Sequence, residues 1–260
     1  MMMGAIALLA ACAIAPAPTP LPRAHAHNDY EHPRPLFDAL DRGFANVEAD
    51  IWLVDGRLLI AHSAKDLRPD RTLERLYLDP LRERVRQNGG RVHRGGPTLV
   101  LLVDVKSEAA PTYAALDAVL RNYAEVLTEF RAGAVAPKAI TVIISGNRAT
   151  AEVAAQPVRF AAIDGRSGDL ETNPPATLVP WISENWQKLF TWKWEGPMPE
   201  AERAALKAFV ARAHAQGRQV RFWNTPDRPD AWTLLTEAGV DIIGTDDLSG
   251  LARWMSERGQ

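Results

Sequence analysis

The sequence predicts a single (β/α)8 barrel, and three observations carry that expectation. The chain has 260 residues, 47% of them hydrophobic and 24% charged. That is ordinary globular composition and enough chain for one large core. From Arg23 onward, eight strand-like runs alternate with helix-like runs, with no long linker between them. Several runs are almost continuously apolar, such as LVLLV at 99–103 and ITVII at 140–144. Strands of a parallel sheet look like this because both faces are buried. A doubly wound open sheet would share the alternation, but the chain has no glycine-rich dinucleotide loop to go with it.

The elements follow in order. Met1 to Ala15 are apolar and small, and Leu9-Ala10-Ala11-Cys12 has the form of a bacterial lipobox. That form implies cleavage before Cys12, lipid attachment to it, export to a bacterial cell envelope and contact with its membrane. No Lys or Arg precedes Arg23, so the usual positive start of such a segment is missing. The run is too short to span a bilayer. Residues 16–22, PAPTPLP, read as a stiff tether, and 23–258 as the barrel domain. The eight strands are expected at Ala24–His27, Asn46–Ile51, Leu99–Val105, Ala139–Ser145, Arg159–Ile163, Leu178–Ser183, Gln219–Trp223 and Asp241–Thr245. Between them, residues 111–130 place Tyr113, Leu116, Leu120, Tyr123, Leu127 and Phe130 at helical spacing. Residues 199–216 do the same with Leu206, Phe209, Val210 and Ala213, and Gly217 stops that helix.

Bulk chemistry narrows the partners. Thirty basic against 32 acidic residues give a net charge of −2, which does not describe a nucleic-acid binder. The single cysteine excludes an intrachain disulfide. The chain is expected to act as a monomer on a small molecule.

The informative stretch is HAHNDYEHPRPLFDALDRGFANVEADIWLVDGRLLIAH, residues 25–62. Glu48 and Asp50 are two apart on a predicted strand, so both point to one face, the interior near the C-terminal mouth. Two acids converging there repel unless a cation lies between them, and Mg²⁺ and Ca²⁺ prefer carboxylate oxygen. Asp104 and Lys106 repeat the geometry at the end of LLVDVKS. Asp104 would be a third oxygen ligand, and Lys106 would hold a phosphate oxygen or offset developing charge. His27 and His62 fall at predicted C-terminal strand ends, where a near-neutral pKa suits one to accept a proton and the other to donate it. His25 is expected on the opposite face or packed beneath the site. His32 would line the mouth, and His93 and His214 read as solvated. WISENWQKLFTWKWEGP, residues 181–197, reads as a loop offering aromatic surface at the mouth to a lipid or sugar head group.

These motifs resemble the PI-PLC-like phosphodiesterase superfamily, which includes glycerophosphodiester phosphodiesterases and spider sphingomyelinase D. HNDY…VEADIWLVDGRLLIAH is most similar to the "altered inheritance of mitochondria protein 6" branch. The resemblance implies a TIM barrel of that type and metal-dependent phosphodiester cleavage. It puts the catalytic histidines at His27 and His62, the metal ligands at Glu48, Asp50 and Asp104, and a catalytic Lys at Lys106. RFWNTPD and GVDIIGTDDL resemble the closing strands, with Trp223 and Asn224 lining the substrate pocket and Thr245 and Asp246 ending strand eight. Asn28 and Asp29 stand where glycerophosphodiesterases have Arg-Gly and contact substrate. The Glu-Asn-Thr element of those enzymes is absent, so glycerophosphodiesters and phospholipids both stay open as substrates, as do hydrolysis and formation of a cyclic phosphate.

Two rival readings remain at this level. His25-x-His27 is also the zinc signature of amidohydrolase-like and PHP-type barrels, which need further histidines on later strands. An envelope lipoprotein could also keep the barrel only to bind head groups or glycans.

Overall fold

Parallel pairing closes the eight apolar runs into a ring. The computed structural model describes residues 18–131 and 133–259. The barrel strands are β1 (Leu21–Ala26), β2 (Phe44–Val54), β3 (Leu99–Val105), β4 (Ile140–Gly146), β5 (Ala161–Gly165), β6 (Trp181–Asn185), β7 (Gln219–Trp223) and β8 (Ile242–Thr245). Each pairs in parallel with the next, and β8 returns to β1. This is a TIM barrel, as the alternation predicts. The longest helices, Ala109–Arg121 and Glu200–Ala215, bury Leu116, Leu120, Leu206, Val210 and Ala213 against the strands.

Each expected strand is present, with shifted ends. The first begins at Leu21, inside the segment read as tether, because Leu21 N donates to Gly43 O at 2.7 Å and its side chain is buried. The fifth divides into a short Val158–Arg159 piece and β5. The sixth starts only after Pro180, whose missing N–H cannot join a central ladder.

The helical period at 111–130 overshoots. The helix ends at Arg121, and Tyr123 packs from a turn and Leu127 from a parallel bridge to Ile140. Thr128 N donates to Ile140 O at 2.7 Å, so pairing with the next strand takes the backbone out of the helix. Phe130 lies in a small antiparallel sheet, Glu129–Arg131 with Ala134–Ala136 and Val158–Arg159.

One excursion matters for the site. Asp55 and Gly56 both have positive φ, 47° and 74°, as a tight primed hairpin turn requires. The turn folds Arg57–Ile60 antiparallel onto the end of β2 and brings His62 back over the mouth.

The tryptophan segment is a correction. Trp181 and Trp186 are buried, Trp194 nearly so. Trp186 packs 4.4 Å from Phe190 and from Trp194, and edge-on to Phe222. Trp192 stacks on Trp194 at 4.9 Å. The rings satisfy one another in the wall of the fold rather than presenting an open aromatic face, because apolar area is worth more buried than exposed.

Candidate active site

Register builds the acid cluster. In the β2–β3 pairing Asp50 stands opposite Asp104, and in the β3–β4 pairing Asp104 stands opposite Ser145. Glu48 lies one inward residue below Asp50. One oxygen from each of Glu48, Asp50 and Asp104 lies within 4.8 Å of the others. The Lys106 ammonium reaches Asp50 Oδ2 at 3.1 Å and Asp104 Oδ2 at 3.0 Å.

The cluster fits a hard divalent cation. Asp50 Oδ1 and Asp104 Oδ1 are buried without any hydrogen-bond donor. Burial, then the neighbouring Glu48 charge, pushes the Asp50 carboxyl up to about 6, and Lys106 only partly offsets this. Burial pushes Asp104 up as well. A divalent ion among these oxygens would remove the repulsion that raises them. Gly146 completes the cradle: its φ is +67°, and a Cβ there would sit 2.0 Å from Asp104 Oδ1.

The histidines flank this cluster. His27 Nδ1 donates to Asp246 Oδ1 at 2.8 Å, and its Nε2 faces Glu48 Oε1 at 3.9 Å. Burial works against its charge, but the Asp246 hydrogen bond and the Glu48 carboxylate outweigh it and raise its pKa. His62 is the more open of the two, its side chain 60% exposed, with Nδ1 3.1 Å from the Tyr30 hydroxyl. Tyr30 is buried and donates to Asp50 Oδ2 at 2.6 Å, leaving its oxygen to accept from His62. Asn28 adopts φ 48° at the corner, with its side chain between Tyr30 and the His27–Asp246 pair.

Beneath Glu48 lies a buried layer. His25, 0% exposed, donates from Nε2 to Glu48 Oε2 at 2.9 Å. It packs below the site, the second of the two placements expected for it. The buried guanidinium of Arg221 on β7 meets the same oxygen at 2.8 Å. Burial, with Arg221 beside it, holds the His25 imidazole down to about 4. The Arg221 charge and the His25 hydrogen bond overcome burial and keep Glu48 well below the usual carboxylate range. His25 is thereby fixed as a donor to Glu48. The grouped donors among the described residues are three carboxylates, which leaves the His-x-His zinc reading unsupported.

The opposite wall is basic. Arg166, just after β5, donates to Asp164 Oδ2 at 2.8 Å and to Ser145 Oγ at 3.0 Å, and its guanidinium lies 4.9 Å from the Trp223 ring centre. A cavity of about 220 Å³ runs between the walls, lined by His27, Glu48, Asp104, Lys106, Arg166 and Trp223 among others. An adjoining hollow carries Asn224, which has φ 61° and donates to Asn185 Oδ1 at 3.3 Å. Trp223 and Asn224 therefore lie where the substrate pocket was expected, and Thr245 and Asp246 close the rim.

Two expectations are corrected by burial. Asp29 does not face the cavity. It is fully buried, accepting from Leu36 N at 2.6 Å and the Tyr77 hydroxyl at 2.8 Å, and so pins the loop after β1. His93 is not solvated: it is buried and donates to Phe44 O at 2.9 Å. His214 remains half exposed beside Asp241. Sequence reasoning missed Arg221, Tyr30, Arg166 and Gly146. Tyr30 follows directly on the Asn-Asp pair, and Arg221 points inward two residues before Trp223, so spacing held a signal for both. Arg166 and Gly146 carried none. Cys12 lies outside the described residues, among which no helix is long and apolar enough to cross a membrane.

Comparison with known proteins agrees with this geometry. Residues 17–161 match the model of the AIM6-like phosphodiesterase domain, and residues 219–249 match the glycerophosphoryl diester phosphodiesterase family. Altered inheritance of mitochondria protein 6 of Eremothecium gossypii is 29% identical, covering 87% of this chain and 68% of that protein. The homologue in Arthroderma benhamiae is 26% identical, covering 85% and 80%. Among solved structures, a glycerophosphodiester phosphodiesterase from Parabacteroides distasonis superposes with a TM-score of 0.57 at 12% identity, over 93% of this chain and 100% of that one. One from Agrobacterium tumefaciens gives 0.56 at 12% identity, over 91% and 100%. These structures share the fold. The relatives also overturn one expectation: the matched curated proteins are fungal, from Eremothecium, Arthroderma, Lachancea and Saccharomyces, and point away from a bacterial cell-envelope lipoprotein.

Proposed function

The chain belongs to the AIM6-like phosphodiesterase family, and on that premise we propose that it is a metal-dependent phosphoric diester hydrolase acting on glycerophosphodiester or phospholipid-type substrates. The observation that carries the reading is the convergence of Glu48, Asp50 and Asp104, two of them with buried unpartnered oxygens, between His27 and His62. Those three carboxylates would hold Mg²⁺ or Ca²⁺. Such an ion, when bound, supplies Lewis-acid polarisation of a phosphate oxygen and a lowered pKa for a coordinated hydroxyl.

The remaining work falls to the chain itself. Tyr30 gives its proton to Asp50, so His62 Nδ1–H donates to the Tyr30 oxygen and His62 Nε2 is left with a lone pair. His62 is then the base: it takes the proton of the attacking hydroxyl as that oxygen bonds to phosphorus. His27 is the acid. Its Nδ1–H is held by Asp246, its raised pKa favours the imidazolium, and Nε2–H gives its proton to the leaving oxygen as the old P–O bond breaks. Lys106 offsets the charge gathering on phosphorus. Attack by a neighbouring substrate hydroxyl gives a cyclic phosphate, and water with the two histidines exchanging roles opens it.

The test is turnover of a panel of glycerophosphodiesters and lysophospholipids, each carrying the neighbouring hydroxyl, with Mg²⁺, Ca²⁺ or EDTA. We expect EDTA to abolish turnover, and His27→Ala and His62→Ala each to lower it by roughly 10²- to 10⁴-fold, the usual worth of a positioned acid or base. Turnover indifferent to EDTA, or retained in both variants, would sink the reading.

A further inference from the structure

The basic wall of the cavity says which alcohol the diester should carry. We propose that Arg166, stacked on Trp223, is a specificity-determining residue that selects head groups bearing a further negative charge over quaternary-ammonium head groups. This rests on the phosphodiesterase reading and deepens it by naming the substrate class.

Three features support it. Arg166 is held rather than adrift: its side chain is 23% exposed, and Asp164, Ser145 and the backbone carbonyl of Gly165 fix the guanidinium from one side. The Asp164 carboxylate that anchors it is itself buried. These bonds leave Nε–H and one Nη2 proton without a protein acceptor. Both belong to a residue lining the same cavity as Asp104, Lys106 and the two histidines. A planar fork with unused donors beside a diester site matches a carboxylate or a second phosphate, to which it can donate in pairs.

The second feature is what Arg166 does to Trp223. A trimethylammonium group is usually taken by open aromatic faces. The guanidinium 4.9 Å from the Trp223 ring centre already covers that face with a cation. The third is that the neighbouring rings offer no substitute. Trp186, Trp192 and Trp194 pack on one another with centres 4.4–4.9 Å apart for the two closest pairs. A choline group would meet a positive charge where it needs an aromatic one.

Binding can be read without turnover. In the His27→Ala background with Ca²⁺, calorimetric titration would compare glycerophosphoinositol 4-phosphate, glycerophosphoinositol and glycerophosphocholine. We expect the phosphorylated ligand to bind at least tenfold more tightly than the choline one. Adding Arg166→Gln should reduce that preference to threefold or less, and Arg166→Lys, which keeps the charge without the fork, should retain part of it. Far-ultraviolet circular dichroism establishes that each variant folds. Equal affinity for the choline ligand, a preference untouched by Arg166→Gln, or no binding of any of the three would overturn the proposal. Hydrolysis of glycerophosphoinositol and glycerophosphocholine by the unmodified chain, with Mg²⁺ or with EDTA and measured in parallel, decides the phosphodiesterase reading separately.

Discussion

The mouth of the barrel has two unlike halves. The acid half comes from β1 to β3 and the hairpin after β2, within residues 27–106, and holds both histidines, the three carboxylates and Lys106. The basic half comes from β5 and β7, where Arg166 and Arg221 stand beside Trp223. The first half is organised by short sequence spacings and strand register, so its parts meet whenever the barrel forms. The second works less locally: Arg221 reaches across the barrel to Glu48, while Arg166 holds Ser145 on the adjacent β4. On the proposed function, the groups assigned to bond cleavage stand in the first half, and the charges assigned to tuning and selection stand in the second.

The sharpest way to break this division is to neutralise the acid half. Asp50→Asn or Asp104→Asn, nearly isosteric, should lower kcat/KM by about 10³-fold or more, since the metal and its polarisation go together. Calorimetric titration with Ca²⁺ should show the same loss of metal binding. A variant that keeps both metal affinity and turnover would remove that carboxylate from the ligand set.

The next effect is on stability and belongs to the second half. Arg221→Leu leaves Glu48 as a buried charge with only the two histidines His25 and His27 beside it, and a broken buried pair costs roughly 3–5 kcal/mol. Denaturant unfolding should register that loss. Removing both charges in Arg221→Leu/Glu48→Leu should recover much of it, although activity stays lost. If the single variant is as stable as the parent, the cross-barrel pair does not hold the two halves together.

Tyr30→Phe is smaller and bears on positioning within the acid half. It removes the hydroxyl between Asp50 and His62 while keeping the ring. Loss of such an orienting partner typically lowers activity by about 10- to 100-fold. We expect the fall in kcat with KM nearly unchanged, because the bond orients His62 rather than holding substrate. A rise in KM alone would make Tyr30 a binding residue instead.

How much of this could be read from sequence follows the same split. The placing of Glu48, Asp50, Asp104, Lys106, His27 and His62 was legible because alternation on a strand fixes a face and the strand's end fixes a height in the barrel. Arg221 was legible only as an inward position two residues before Trp223, and Arg166 not at all. An arginine's spacing does not say which acid it will meet: Arg221 meets Glu48, 173 residues away, and Arg166 meets Asp164 beside it. The tryptophans misled for a related reason: polar residues among them argued for a surface loop, yet Trp186 found Phe222, Phe190 and Trp194 as partners. Phe130 misled because helical period says nothing of strand pairing.

Asp29 is the finest test, since its neighbours Asn28 and Tyr30 both touch the site and it does not. Burial pushes its carboxyl up to about 6 against an ordinary value near 3.8, despite the bonds from Leu36 N and Tyr77. The fold therefore favours the protonated form. Between about pH 4 and 6 the folded chain keeps a proton that the unfolded chain has released, so stability falls as pH rises through that window, by roughly 2–3 kcal/mol for this group. Asp29→Asn retains one oxygen to accept from Leu36 N and Tyr77 and carries no charge. Its stability should match that of the parent at pH 4 and exceed it at pH 7, with the difference opening between those limits. Asp29→Ala should instead cost about 1–3 kcal/mol at pH 4, because two buried donors lose their acceptor. Urea titrations of the three chains at the two pH values would measure this. A parent and Asp29→Asn that respond alike to pH would mean that the carboxyl titrates in the fold as it does in the unfolded chain, and would return Asp29 to the polar surface of the mouth.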